Sequence, residues 1–232
     1  MIASIQRGAR PAHVYEHLRE LIVRGRLAPG ARVVEQDVAE RMGMGRTPVR
    51  EALQLLVQEG YLVGSEGGRR QLTVAPLRAD DVAELFPLLG ELEAAALRDL
   101  GSLSDEERAT MAAEVRAANR AFGKTVREVP VDLEGAFSTH RAFHAALTAR
   151  LAGPRLAWLL GLVRPQVERY EWFYGALLQG NMDVATDEHG AIVRAVEAGD
   201  AEAAAEGVRQ NWRNASARLQ AVIDRAGERG TW

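Results

Sequence analysis

The stretch Gly45-Arg46-Thr47-Pro48-Val49-Arg50-Glu51-Ala52-Leu53 constrains this chain more than any other. It reads as the opening of a short amphipathic helix, with Pro48 in a first turn where its missing N–H would have had no partner. Thr47 or Gly45 can cap that turn, and Leu53, Leu56 and Val57 give the helix a face to bury. Arg46 and Arg50 then lie near the helix N-terminus and project away from the core. Guanidinium groups beside free backbone N–H groups suit phosphate oxygens and the acceptor edge of guanine in a DNA major groove. Taken alone, the peptide reads equally well as a solvated helix start with two surface arginines.

Its neighbours favour DNA. Upstream, Val14, Leu18, Leu21 and Ile22 recur at helical spacing from about Ala12 to Arg24, and Gly25-Arg26-Leu27-Ala28-Pro29-Gly30 breaks that helix. A short helix is expected from about Glu35 to Met42, joined to the arginine-bearing helix by Gly43-Met44-Gly45. Two short helices linked through glycine form the helix-turn-helix pattern, whose second helix is the reader. Tyr61-Leu62-Val63 and Gln71-Leu72-Thr73-Val74 read as strands, joined by the basic, glycine-rich turn Gly64-Ser65-Glu66-Gly67-Gly68-Arg69-Arg70. Such a hairpin is a wing able to reach an adjacent groove.

Residues 10–76 resemble the winged helix of the GntR family of bacterial transcription regulators. Leu27-Ala28-Pro29-Gly30, Arg46-Thr47-Pro48-Val49-Arg50-Glu51-Ala52-Leu53 and Glu59-Gly60-Tyr61-Leu62 carry the likeness in order. The resemblance implies operator contacts by Arg46, Thr47 and Arg50, by Gln36 on the preceding helix, and by Gly67 at the wing tip. The family's usual serine before the arginine is Gly45 here, so one hydroxyl contact is absent.

Charge is split along the chain. The net charge is −3, yet residues 1–76 hold 11 Arg against 8 Asp or Glu, so the basic excess lies with the reading helix. An excess that small implies moderate, salt-sensitive affinity for non-specific DNA. With 232 residues the chain has length for one large or two ordinary domains, and the absence of cysteine excludes disulfides and thiolate metal sites. No long apolar run or signal-peptide pattern is visible, so a cytoplasmic protein without membrane association is expected.

Beyond Val74-Ala75-Pro76-Leu77-Arg78-Ala79-Asp80, the expected boundary, everything reads as helix. Helices are expected from about Asp80 to Leu100, with Pro87 kinking the first or moving its start, and from Ser104-Asp105-Glu106-Glu107 to Phe122. Others follow over Val131 to Leu151, Pro154 to Leu178, Asp187 to Ala198 and Ala201 to Arg225. The fold class expected is therefore mainly α: an N-terminal winged helix-turn-helix, then an all-α bundle of six to seven helices.

Of five histidines, His140, His144 and His189 fall in that bundle. His140 and His144 are four apart, so both rings lie on one helix face and can share a metal. With His189 and the amide oxygen of Asn211, they would suit zinc, nickel or another divalent transition ion. Paired helical histidines are also common as ordinary surface or core residues.

Residues 81–226 resemble the FCD ligand-binding domain of one GntR branch, through Phe143-His144, Glu188-His189 with Ala191-Ile192, and Gly199-Asp200-Ala201-Glu202-Ala203-Ala204. Many members hold a divalent metal through an aspartate, a histidine four residues later and two further histidines. His140 stands at the carboxylate position, His144 and His189 at histidine positions, and Asn211 at the last histidine position. Two readings stay open: a ligand swap that keeps three histidines, or a decayed site. The resemblance further implies a small organic-acid effector in a central cavity, for which Arg164, Arg169 and Arg194 are candidate partners by bidentate pairing. Leu89 replaces an arginine many members carry on the first bundle helix, and Tyr170-Glu171-Trp172-Phe173-Tyr174 suits either a pocket wall or core and dimer packing.

The expected function is a repressor that binds double-stranded operator DNA as a homodimer and answers to a small carboxylate. Two rivals are a metal-dependent hydrolase in the helical domain and an effector-blind DNA-binding module. The first lacks an evident general base and leaves the winged helix without a role.

Overall fold

A computed structural model of the chain describes residues 9–64 and 71–231. They divide into two compact units, one reaching from the N-terminal side to Arg78 and including the segment from Glu228 onward, the other spanning Ala79–Gly227.

In the first unit, α1 (Ala9–Val23), α2 (Glu35–Met42) and α3 (Arg46–Gln58) surround Val14, Leu18, Ile22, Val49, Leu53 and Leu56, all buried. The turn between α2 and α3 depends on Gly43, which caps α2 at φ 62°, a left-handed conformation with no steric cost for glycine. Gly45 caps α3 through its backbone alone, so no side chain covers the first N–H groups of that helix. Strands β2 (Leu62–Gly64) and β3 (Leu72–Val74) pair antiparallel, Leu62 opposite Val74 and Gly64 opposite Leu72. The expected wing tip, Gly67 included, lies outside the described residues. A further strand, β1 (Arg32–Val33), pairs with the other edge of β3, giving the order β1-β3-β2. Two residues are too few for alternation to reveal a strand, and β1 exists only because β3 offers it an edge. Beside this sheet, the Leu77 N–H donates to Arg229 O at 2.8 Å and the Arg229 N–H to Leu77 O at 3.2 Å. Gly230 presses on Pro29 so closely that a Cβ there would lie 2.6 Å from the Pro29 carbonyl carbon.

The second unit is a bundle of α4 (Ala79–Leu97), α5 (Asp105–Thr125), α6 (Leu133–Thr148), α7 (Pro154–Tyr174), α8 (Met182–Ala198) and α9 (Ala201–Ala226). A capping box opens α5: the Ser104 hydroxyl accepts from the Glu107 N–H, and the Glu107 carboxylate accepts from the Ser104 N–H. Asp132 and Asp200 cap α6 and α9 in the simpler way, each accepting an N–H three residues on. Pro87 neither delays nor ends α4, which starts at Ala79 and runs through it. Three-ten turns follow α4 (Arg98–Ser102) and α7 (Gly175–Asn181), so both α-helices stop short of the ends expected from periodicity. Helix α8 starts earlier than expected, at Met182. Helix α4 packs chiefly on α9 and α7, while α5 packs on α6 and α8. None of the described helices is long and apolar enough to cross a membrane.

Candidate functional sites

On the first unit, α3 presents Arg46, Thr47 and Arg50 to solvent, and α2 presents Gln36. The Gln36 amide is turned back along its own helix onto Glu40, at 2.9 Å. Arg50 is held in a fork by Glu35, with Nε and one terminal nitrogen at 3.0 and 2.9 Å from the two carboxylate oxygens. That fork raises the Arg50 pKa and lowers that of Glu35, so both stay charged. Arg46 and Arg50 are one helical turn apart on a helix whose N-terminal N–H groups are uncapped, an arrangement that accepts phosphate. Nothing local in the sequence marks Glu35 as the partner of a side chain 15 residues away.

On the second unit, α6 supplies His140 and His144 and α8 supplies His189. One ring nitrogen from each lies within 4.8 Å of the others. His189 and His144 are buried, while 16% of the His140 side chain remains exposed. Phe143 stacks on His189 with ring centres 3.8 Å apart and planes 13° apart, and Phe122 packs against both His140 and His189. These aromatic walls leave His144 Nε2 and both nitrogens of His189 buried without a hydrogen-bond partner among the described residues. Orphaned imidazole nitrogens in an apolar wall are costly unless something binds them.

Electrostatics suits a cation there. Burial pushes the His189 pKa well below its ordinary value, reinforced by His140, His144 and Arg218, so its ring is neutral and its lone pair available. Burial likewise lowers His144, against the pull of Glu93. His140 differs: burial lowers it, but Glu171, whose carboxylate lies 3.5 Å from Nδ1, reverses the shift with help from Glu93 and Glu168. A tetrahedral ion holds its nitrogen ligands about 3.3 Å apart, so the rings must draw inward to share one. The residues present fit a divalent metal by donor type, burial and orphaned lone pairs.

Asn211 is buried on α9, and its amide nitrogen donates to Glu188 at 2.7 Å, so only its carbonyl oxygen is left as a ligand atom. Glu188 also accepts from Asn214 at 2.9 Å and from both terminal nitrogens of Arg218, at 2.8 and 3.2 Å. Burial raises the Glu188 carboxyl, but Arg218 and the two amides outweigh it and hold it below the usual range.

His140 also lines a cavity of about 80 Å³, together with Phe86, Phe122, Phe137, Glu171 and Arg218. Arg164, Arg169 and Arg194 are not among its lining residues; Arg218 is. Arg164 is turned onto Glu93 at 2.8 Å, Arg169 is buried in α7, and Arg194 is exposed on α8. The aromatic run on α7 serves the core: Tyr170 and Tyr174 are buried, with hydroxyls donating to Asp81 at 2.7 Å and to Gly227 O at 3.1 Å. Only Glu171 of that run reaches the cavity, whose aromatic lining comes from α4, α5 and α6 instead.

Two family models match the chain. The bacterial regulatory proteins of the gntR family match residues 11–70, and the FCD domain matches residues 77–214. The chain is 32% identical over 187 residues to a probable D-xylose utilization operon transcriptional repressor of Paenarthrobacter nicotinovorans, covering 79% of this chain and 76% of that one. It is 36% identical over 146 residues to an uncharacterized HTH-type transcriptional regulator from an unstable DNA locus of Streptomyces ambofaciens, covering 62% of this chain but only 57% of the relative. Its fold is similar to that of E. coli McbR/YncC, with a TM-score of 0.71 at 22% identity over 90% of this chain and 96% of the other. These families and relatives are transcription regulators, not enzymes. The chain belongs to the gntR family of bacterial regulatory proteins, as a transcription regulator with an FCD effector-binding domain.

Proposed function

We propose that the chain is an effector-controlled repressor, acting in the cytoplasm as a homodimer, in which residues 10–76 bind operator DNA and residues 81–226 bind the effector and dimerise. The observation that carries this reading is a buried cluster of three histidines opening onto a small apolar cavity, within a chain of this family. In it, Arg46, Thr47 and Arg50 meet the major groove, Gln36 supports them from α2, and Gly67 serves the wing. A two-fold dimer matches two half-sites of a near-palindromic operator.

His140, His144 and His189 would hold a divalent transition ion, zinc or nickel, with the Asn211 carbonyl oxygen as a fourth donor. When bound, the ion supplies a positive Lewis-acid point for a carboxylate. The cavity suits a small effector, since its volume corresponds to on the order of five waters. Phe86, Phe122 and Phe137 favour an apolar body, and the nearest arginine to receive an acidic group is Arg218 rather than Arg164, Arg169 or Arg194. Effector binding regulates DNA only to the extent that it prefers one pose of the reading heads over another.

The test is operator binding by wild-type protein and Arg50→Ala at physiological salt, with a screen of small carboxylic acids for thermal stabilisation. Lost operator affinity in the variant and a concentration-dependent rise in melting temperature with one acid are expected. Undiminished affinity removes the assigned reading helix, and a screen without any shift favours the effector-blind module.

A further inference from the structure

Glu93 lies on α4, 51 residues before His144, yet its carboxylate is fully buried against the histidine cluster. One oxygen lies 2.7 Å from His144 Nδ1 and 2.8 Å from Trp212 Nε1; the other accepts from Arg164 at 2.8 Å. These partners come from α6, α9 and α7, so a single carboxylate ties four helices together. Donors on both oxygens keep it from rotating away. The Trp212 ring, itself buried, packs against His144 with ring centres 4.5 Å apart and planes tilted by 38°.

An imidazole whose Nδ1–H is given to a carboxylate carries its lone pair on Nε2. In His144 that Nε2 is the buried nitrogen without a partner among the described residues. Three neutral imidazoles would leave both charges of a divalent ion uncompensated in a buried site, which is costly. A carboxylate behind one ligand answers both needs: it fixes the ring and raises the basicity of the ligating nitrogen.

We infer that Glu93 is the positioning residue of the metal site, holding His144 as the Nδ1–H tautomer so that Nε2 is its ligand atom. This rests on the metal reading above. Glu93 itself is not a ligand, and Arg164 and Trp212 act by anchoring Glu93. Arg164 therefore belongs to this network and not to effector recognition.

The test titrates chelator-stripped full-length protein with zinc, comparing wild type, Glu93→Gln and Trp212→Phe. Glu93→Gln should weaken zinc binding by about 10–100-fold. Trp212→Phe, which removes one anchor but keeps the His144 contact, should weaken it less. A purely structural role for Glu93 would lower the melting temperature while leaving the zinc affinity of folded protein unchanged, and that result overturns the inference. A second measurement needs no variant: in ¹⁵N-histidine-labelled wild type loaded with zinc, His144 should show a metal-bound Nε2 and a protonated Nδ1. Coordination through Nδ1 overturns the inference even if Glu93→Gln does not fold. Wild type that binds no zinc at all removes the metal reading and the inference together, whereas tight wild-type binding matched by Glu93→Gln removes the inference alone.

Discussion

In the DNA-binding unit, Glu35 grips Arg50 with both oxygens while 61% of the arginine side chain stays exposed. In the helical unit, Glu93 grips His144, Trp212 and Arg164 with none of its own side chain exposed. Both carboxylates hold another side chain in place, and the difference lies in the solvent. Water competes for Arg50, so the pair adds little stability and opens readily to a competing anion. Glu93 has no water to fall back on. Burial pushes its carboxyl up, and His144, Arg164 and the Trp212 indole together bring it below the usual range, so the charge survives only as long as those partners stay. The two arrangements suit the two proposed roles: an exposed grip that DNA would displace, and a buried one that would keep a metal site shaped before its ion arrives.

The comparison breaks first at Glu93. Replacing it with alanine leaves Arg164 and two ring or indole N–H groups without their acceptor, and removal of one member of a buried pair typically costs about 3–5 kcal/mol. Urea unfolding of Glu93→Ala should show a loss of that size; a loss under about 1 kcal/mol would place Glu93 among dispensable surface pairs.

Arg46 tests the exposed side at the DNA. If it reads guanine, Arg46→Ala should cut discrimination between operator and a single wrong base by about 1–3 kcal/mol. Equal losses on operator and random duplex would recast it as a phosphate contact.

The buried cluster also has a pH signature in metal-free protein. The His189 pKa is depressed below 6.5 in the folded state, so the unfolded chain binds the proton more readily. The stability His189 contributes is therefore present above pH 6.5 and is lost as pH falls below it. His140, raised by Glu171 against burial, works in the opposite direction. His189→Phe should flatten the acid-side decline of melting temperature below pH 6.5; an unchanged slope would mean that His189 is not the group that resists protonation.

The smallest effect is expected at Glu35. Glu35→Gln removes the charge that holds Arg50 back and also one negative charge near the DNA. Operator affinity should rise modestly and depend a little more steeply on salt. A fall in affinity would show that Glu35 orients Arg50 for reading.

Much of this architecture is legible from local chemistry. The Gly43 turn, Pro48 in a first turn, the Ser104 capping box and the strands flanking the wing each carry their signal within a few residues. The four-residue spacing of His140 and His144 likewise announces a shared face. What escaped depends on partners far along the chain. Glu93 meets groups 51, 71 and 119 residues away, and no property of its own neighbourhood marks it as an acceptor. Arg218 looks like any charged position on a long helix until folding brings it beside Phe86 and Phe137. The start of α8 at Met182 is not legible from periodicity, because a three-ten turn runs directly into it.

The most direct test of the account is the metal content of purified protein, dialysed without chelator, beside that of His144→Ala. Close to one equivalent of zinc or nickel per chain, lost in the variant, is the predicted result. No metal in either protein, even after soaking in zinc or nickel, would contradict it, and the cavity would then have to recognise its ligand through Arg218, Glu171 and its aromatic walls alone.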